Sequence, residues 1–272
     1  MSKVWFVTGS SKGFGREFVE GALDRGDKVA ATARNTDSLN DLVERYGDAV
    51  LPLQVDVTER DQVFAAVAAA HAEFGRLDVV VNNAGYGLFG TVEEISEQQL
   101  RDQLETNFFG VFHVTQAVLP ILREQGSGHI IQISTIGGVV AFPMLGGYHA
   151  SKWALEGLSD SLSQEVAGLG IKVTIVEPGG FDTDWNSASA TFADPQPAYE
   201  GVREAMATMR QGSTSPKPVG FGPAILKIVD AEKAPLRVFF GEAPTQVVPH
   251  MYQQRLATWA EWAPVSLEAE GK

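Results

Sequence analysis

From its fourth residue the chain alternates short apolar runs with stretches of helical period, and this alternation restricts the fold more than any other feature. Residues 4–8, 28–33, 50–55, 77–81, 129–135, 172–177 and 236–240 read as strands. Between them, residues 14–25 place Phe14, Phe18, Val19 and Leu23 on one helical face, and helices are predicted over 36–46, 59–74, 98–125 and 148–167. Apolar residues run continuously through the strands, as in a sheet covered on both faces. Neighbouring parallel strands need long crossovers, which the intervening helices supply. The expected class is therefore α/β, a doubly wound parallel sheet of about seven strands in a single domain spanning 1–272.

One segment breaks the rhythm. Residues 181–223 hold Pro195, Pro197, Pro216, Pro218 and Pro223 and a turn at Gly212, with one short helix predicted over 197–209. A long irregular insertion in a compact domain reads as a lid over a substrate. Beyond it, residues 242–272 form a C-terminal extension, helical around Leu256, Trp259 and Trp262, with a frayed end at SLEAEGK.

The net charge is −13, with no basic face to hold a nucleic acid. There is no cysteine, so disulfide and thiolate chemistry are excluded, which fits a reducing cytoplasm. The opening MSKVWFVTGS has no apolar core of a secretory leader, and no run approaches the roughly 18 apolar residues of a membrane span. A cytoplasmic protein without membrane or nucleic-acid partners is expected.

Straight after the first strand comes TGSSKGFG, residues 8–15, which then opens a helix. Free N–H groups and the positive dipole end at such a helix start suit a phosphate, and Gly9, Gly13 and Gly15 let the backbone approach it, with Ser11 and Phe14 in the same turn. An acidic residue ending the second strand would favour the plain ribose of NAD. Here that strand ends Ala33-Arg34, and a guanidinium suits an extra 2′-phosphate. Lys12 supplies a second cation in the loop, so the pair argues for NADP(H). Asp56, ahead of Val57, ends the third strand, where it either accepts from an adenine amino group or caps the turn at Thr58.

Tyr148 and Lys152 stand four residues apart in YHASK and share one helical face. An ammonium beside a phenol favours the phenolate, making a proton donor or acceptor usable near neutrality. Asn107 and Gly110, both poor helix formers, interrupt a predicted helix and signal a local site or a close packing contact. Asn83, Ala84 and Gly85 end one strand and Ser134 and Thr135 another, at the sheet edge where such folds bind ligands. No residue pattern suggests a metal.

TGxxxGxG, NNAG, the asparagine of ETNFFG, the strand ending IST, YxxxK and PGGFDT follow one another over residues 4–183 in an order that resembles the short-chain dehydrogenase/reductase family, in its shorter branch. The resemblance implies a single Rossmann domain, a dimer or tetramer, and hydride exchange between nicotinamide and a ketone or secondary alcohol. It makes Tyr148 the proton donor, gives Lys152 the nicotinamide ribose and the depression of the tyrosine pKa, and gives Asn107 a relay water. Pro178, Gly179, Phe181 and Thr183 would seat the nicotinamide. The family's serine stands thirteen residues before the tyrosine. Here that position is Thr135, with Ser134 as the fallback, and the loop's usual isoleucine is Phe14.

Substrate contacts are expected from Tyr86, Leu88, Phe142, Leu145, Trp185, Phe192, Tyr199, Met206 and Met209, a set that suits an apolar or amphipathic molecule. Two functions fit. One is an NADP(H)-dependent carbonyl reductase or alcohol dehydrogenase. The other, raised by Thr135, is a catalytically weak NADP(H)-binding sensor or partner protein.

Overall fold

The structure is a computed structural model that describes residues 2–210 and 215–271. The turn expected at Gly212 and the Met209 side chain lie outside what is described. In chain order the elements are β1 (Val4–Val7), α1 (Gly13–Asp24), β2 (Lys28–Ala33), α2 (Asn40–Tyr46), β3 (Val50–Gln54), α3 (Arg60–Phe74), β4 (Val79–Asn82) and β5 (Leu88–Phe89). There follow α4 (Glu97–Leu104), α5 (Gly110–Gln125), β6 (Gly128–Ile133), α6 (Gly146–Val166), β7 (Ile171–Pro178), β8 (Thr191–Phe192), α7 (Glu200–Arg210), α8 (Phe221–Asp230), β9 (Arg237–Phe240), α9 (Glu242–Glu261) and α10 (Ala263–Ala269).

Seven strands form one parallel sheet in the order β3-β2-β1-β4-β6-β7-β9. Each face carries its own apolar layer. Phe18 and Val19 of α1 pack with Ile225 of α8 on one side, and Val63 and Val67 of α3 pack with Val114 of α5 and Leu162 of α6 on the other. Strand order reverses between β1 and β4, so the two chain directions part there and open a crevice at the strands' carboxyl ends. The single Rossmann-type domain expected from the sequence is the one observed.

Four features differ from the sequence reading. Residues 98–125 are not one helix: a π-helical turn over Glu105–Phe109 separates α4 from α5. Gly110 follows it because a Cβ there would stand 2.7 Å from Cγ2 of Val57. The irregular segment ends before α8, since Pro223 occupies the first helical turn, where its missing N–H costs nothing. Within that segment β8 pairs with β5 as a small separate sheet. Finally, the end expected to fray is helical through Ala269.

Close packing of α1 on α8 rests on two glycines. A Cβ on Gly21 would lie 2.8 Å from Cα of Gly222. The same contact explains Phe14 in the glycine loop: its ring stacks on Phe221 at 4.1 Å and meets Phe181 edge-on at 5.8 Å.

Candidate active site

The crevice is a cleft of about 1280 Å³ that runs from the glycine loop to Tyr148. Every nucleotide-holding residue expected from the sequence lines it: Gly9, Ser11, Lys12, Gly13, Phe14, Arg34, Asp56, Val57, Asn83, Ala84, Gly85, Pro178, Gly179, Phe181 and Thr183. The one exception is Gly15, which lies buried behind the loop. There a Cβ would stand 2.1 Å from the carbonyl oxygen of Gly9, so no other residue fits. Gly9 itself has φ of +68°, with Cα of Ala84 3.0 Å from where a Cβ would be. The loop is thus drawn tight against β4 by its glycines. Asn83 holds it there, donating from Nδ2 to the carbonyls of Thr8 and Gly9 at 3.0 Å each. The donor set and the cradle fit a dinucleotide with its pyrophosphate at the start of α1.

The two cations differ in their surroundings. Arg34 is exposed on the cleft wall. Lys12 instead reaches over the cleft to Asp184, with Nζ 2.9 Å from Oδ2. Asp56 accepts from the N–H and the hydroxyl of Thr58 at 3.0 and 2.8 Å through one oxygen, which is the capping role. Among the described residues its other oxygen has no contact of this kind.

At the far end Tyr148 and Lys152 both line the cleft from α6 and both are buried. The Lys152 ammonium donates to the carbonyl of Ile133 at 2.8 Å. Burial pulls its pKa down to about 8, against the opposing pull of Glu156 one helical turn on. Burial pushes the Tyr148 phenol well above the usual tyrosine range, and the hydroxyl of Thr135 works against that shift. In this structure burial therefore outweighs any depression of the phenol by Lys152, contrary to the expectation from their spacing.

Extended backbone turns Ser134 and Thr135 to opposite faces, as the pleat requires. Thr135 faces Tyr148 and also approaches the carbonyl of Pro178 at 3.4 Å. The hydroxyl of Ser134 points away toward Glu156, near enough to favour its carboxylate yet short of full hydrogen-bond geometry. Asn107 is fully buried in the π-helical turn. It accepts from the N–H of Tyr86 at 3.1 Å and donates to the carbonyl of Tyr86 at 3.0 Å and the hydroxyl of Ser151 at 3.2 Å. Its polar atoms hold the loop after β4, and it does not line the cleft.

Residues 3–193 match the short chain dehydrogenase family. The chain belongs to it. Similar proteins include an oxidoreductase of Botryotinia fuckeliana called BOA17, 41% identical over 98% of this chain and 99% of that one. A 3-ketodihydrosphingosine reductase of Bacteroides thetaiotaomicron is 37% identical over 88% of each. The crystal structure of a short-chain dehydrogenase from Streptomyces avermitilis superposes with a TM-score of 0.92, at 40% identity and 98% coverage of both chains. Solved neighbours at 25% identity hold NADP in one case and NADH in another. This short-chain dehydrogenase is accordingly an oxidoreductase with the nucleotide-binding fold.

Of the expected substrate residues, Tyr86 and Trp185 line the cleft, and the Trp185 ring lies 4.9 Å from that of Tyr148. Leu88 and Leu145 are core, Phe142 packs beside His149, and Phe192 stacks on Phe89 at 5.1 Å with most of its surface exposed. The Tyr199 hydroxyl donates to Glu93, and Met206 is on α7 away from the cleft. Three contributors went unread in the sequence. Ser151 ties Asn107 to the Tyr148 carbonyl, donating to it at 2.7 Å. Asp184 engages Lys12. Glu156 faces Lys152, and its one-turn spacing from that lysine was the available signal.

Proposed function

We propose that this short-chain dehydrogenase is an NADP(H)-dependent reductase of ketones, or dehydrogenase of the matching secondary alcohols, with an apolar or amphipathic substrate. The observation that carries the reading is the meeting of Tyr148, Thr135 and Lys152 at the end of a cleft that begins with the glycine loop and Arg34. A nicotinamide bound at that end would supply or take up the hydride. The protein's own residues handle the proton and the geometry. Tyr148 carries its phenolic proton to the substrate oxygen, and the Thr135 hydroxyl holds that oxygen and the phenol in line. A phenol kept protonated by burial is suited to giving a proton in the reductive direction. Lys152, anchored on the carbonyl of Ile133, presents a cation to the ribose side of the cleft. Asn107 fixes the Tyr86 loop, whose ring together with Trp185 forms the apolar wall over the reacting carbon.

Arg34 supports the choice of the phosphorylated cofactor, because an exposed guanidinium at the end of β2 has a 2′-phosphate as its natural counter-charge. The 3-keto substrate named for the Bacteroides thetaiotaomicron relative is in keeping with an amphipathic ketone. A cytoplasmic homodimer or homotetramer, with a lid built from the irregular segment between β7 and α8 and an extension over 242–272, belongs to the same reading. The test is cofactor consumption against a panel of ketones and secondary alcohols with NADPH, NADH and their oxidised forms. Turnover of an apolar ketone with NADPH favoured is expected. Tight NADPH binding with no turnover across the panel would make the protein a sensor instead.

A further inference from the structure

Val248, Tyr252, Leu256 and Trp259 follow one another in α9 at intervals of four, four and three, which puts them on one helical stripe. The first half of that stripe packs on the protein. Val248 is buried in a cluster with Val139 and Val140, and Met251 and Tyr252 are partly covered in the same place. Beyond Tyr252 the surroundings change while the apolar pattern continues. From Leu256 to Gly271 every residue is exposed, and α10 has no buried residue among those described. Leu256 is 56% exposed, Trp259 61% and Trp262 60%, and Val265 and Leu267 are about half exposed.

A helix in water draws most of its stability from packing an amphipathic face, and here that face has nothing of its own chain beneath it. The five side chains together present about 600 Å² of apolar surface, beyond the few hundred Å² at which an exposed patch marks a contact surface. Two copies paired through it would bury about 1,200 Å², the lower end of what a stable specific interface needs. Charge narrows the choice of partner. The chain carries −13, so most of its surface repels both another copy and an anionic bilayer. The stripe is the exception, since Ala257, Thr258 and Ala260 keep the surroundings of Leu256 and Trp259 uncharged. Residues 253–272 offer two cations, Arg255 and Lys272, against Glu261, Glu268 and Glu270, unlike the basic face of a lipid-binding helix. Arg255 is engaged besides, with its guanidinium 5.3 Å from the Trp153 ring and 4.9 Å from that of Tyr252.

We infer that the outer half of α9, with α10, is an interface between two copies of this chain. The two arms lie antiparallel about a two-fold axis, so that the stripe of Leu256 and Trp259 meets its own equivalent. An uncharged apolar stripe is self-complementary, and the antiparallel arrangement also opposes the two helix dipoles. The inference rests on the homo-oligomer of the preceding reading and names a surface for it.

The experiment is light scattering on the full chain over a range of concentrations, with two double variants: Leu256→Glu with Trp259→Glu, and Leu256→Lys with Trp259→Lys. Both positions are exposed and neither lines the cleft, so the fold is expected to survive, as checked by circular dichroism. Each variant sets like charges against each other across the axis, and its molar mass is expected to be half that of the parent. An equal mixture of the two variants places opposite charges across the axis and is expected to recover the parent mass, which a merely structural defect would not allow. A parent with the mass of one chain throughout would remove the oligomer itself. An oligomer whose mass neither variant lowers, or a mixture that stays at half mass, would keep the oligomer and overturn the arm as its interface. Binding of the parent to vesicles of phosphatidylcholine and phosphatidylserine, lost in both variants, would assign the stripe to a membrane and overturn the inference equally.

Discussion

Lys12 and Asp184 meet over the nucleotide cleft, 2.9 Å apart, and join the glycine loop to the segment that follows β7. Both are about half exposed, so the pair is worth at most about 1 kcal/mol. It matters because Lys12 cannot hold Asp184 and a ribose phosphate with the same ammonium. Asp184→Asn should free the lysine and raise the preference for NADPH over NADH two- to fivefold, by roughly 0.5–1 kcal/mol. Arg34→Ala should lower NADPH affinity by about tenfold and leave NADH unchanged. Titration of both cofactors into both variants checks this. An unchanged preference in Arg34→Ala contradicts the role given to that residue.

The charge on Lys152 sets a limit at high pH. Its pKa is pulled down to about 8, so the ammonium is present below that pH and lost above it. Reductive turnover should therefore fall as pH rises through about 8. Glu156 is the group that raises this pKa against burial. Glu156→Gln should then move the break to lower pH, read from the pH profile of kcat/KM. A break that stays in place would assign it to another group, Glu177 being the nearest candidate.

The strands were legible because each is apolar on both faces, and YHASK was legible because four residues make about one helical turn. The glycine loop could be read from its place between β1 and α1. What escaped was set by contacts between distant residues. Asp184 lies 172 positions from Lys12, and Arg237 lies 81 from Glu156. No local pattern links either pair. α8 was hidden by Pro223, read as a breaker although it sits in a first turn. The π-helical turn at Asn107 was half visible: two poor helix formers marked the place, and only the fold showed that Gly110 answers to Val57. Spacing put Tyr148 and Lys152 on one helix, and both line the cleft, but their pKa values follow burial, which spacing does not carry.

The α1–α8 contact should be sensitive to a single methyl. Gly21→Ala would place a Cβ 2.8 Å from the backbone of Gly222, which cannot rotate away as a side chain would. A loss of about 1–3 kcal/mol is expected, measured by urea unfolding. Gly157→Ala, in α6 with open space around it, should be neutral or slightly stabilising and serves as the control.

His129 should make the fold acid-sensitive. It is buried in β6 with Nε2 2.9 Å from the hydroxyl of Thr174, which itself donates to the carbonyl of Pro235 at 2.7 Å. The ring is thus the donor and neutral. Burial lowers its pKa from 6.5 to about 4, helped by Lys172 and Lys3. As pH falls from about 6.5 toward 4, the unfolded chain takes up a proton that the folded one refuses, and stability is lost, by at most about 3 kcal/mol. Glu177, raised to about 8, contributes with the opposite sign between 4.5 and 8. The His129 share must therefore be read as a difference. His129→Val should lose less stability than the parent between pH 7 and pH 5, by urea midpoints.

In the proposed function the Tyr148 phenol delivers the proton at the end of the nucleotide cleft. The direct measurement compares Tyr148→Phe with the parent for NADPH affinity and for turnover of whichever ketone the panel identifies. Affinity within about twofold and turnover reduced by at least about a hundredfold are expected, as for removal of a general acid. Turnover that survives the loss of the hydroxyl would contradict it.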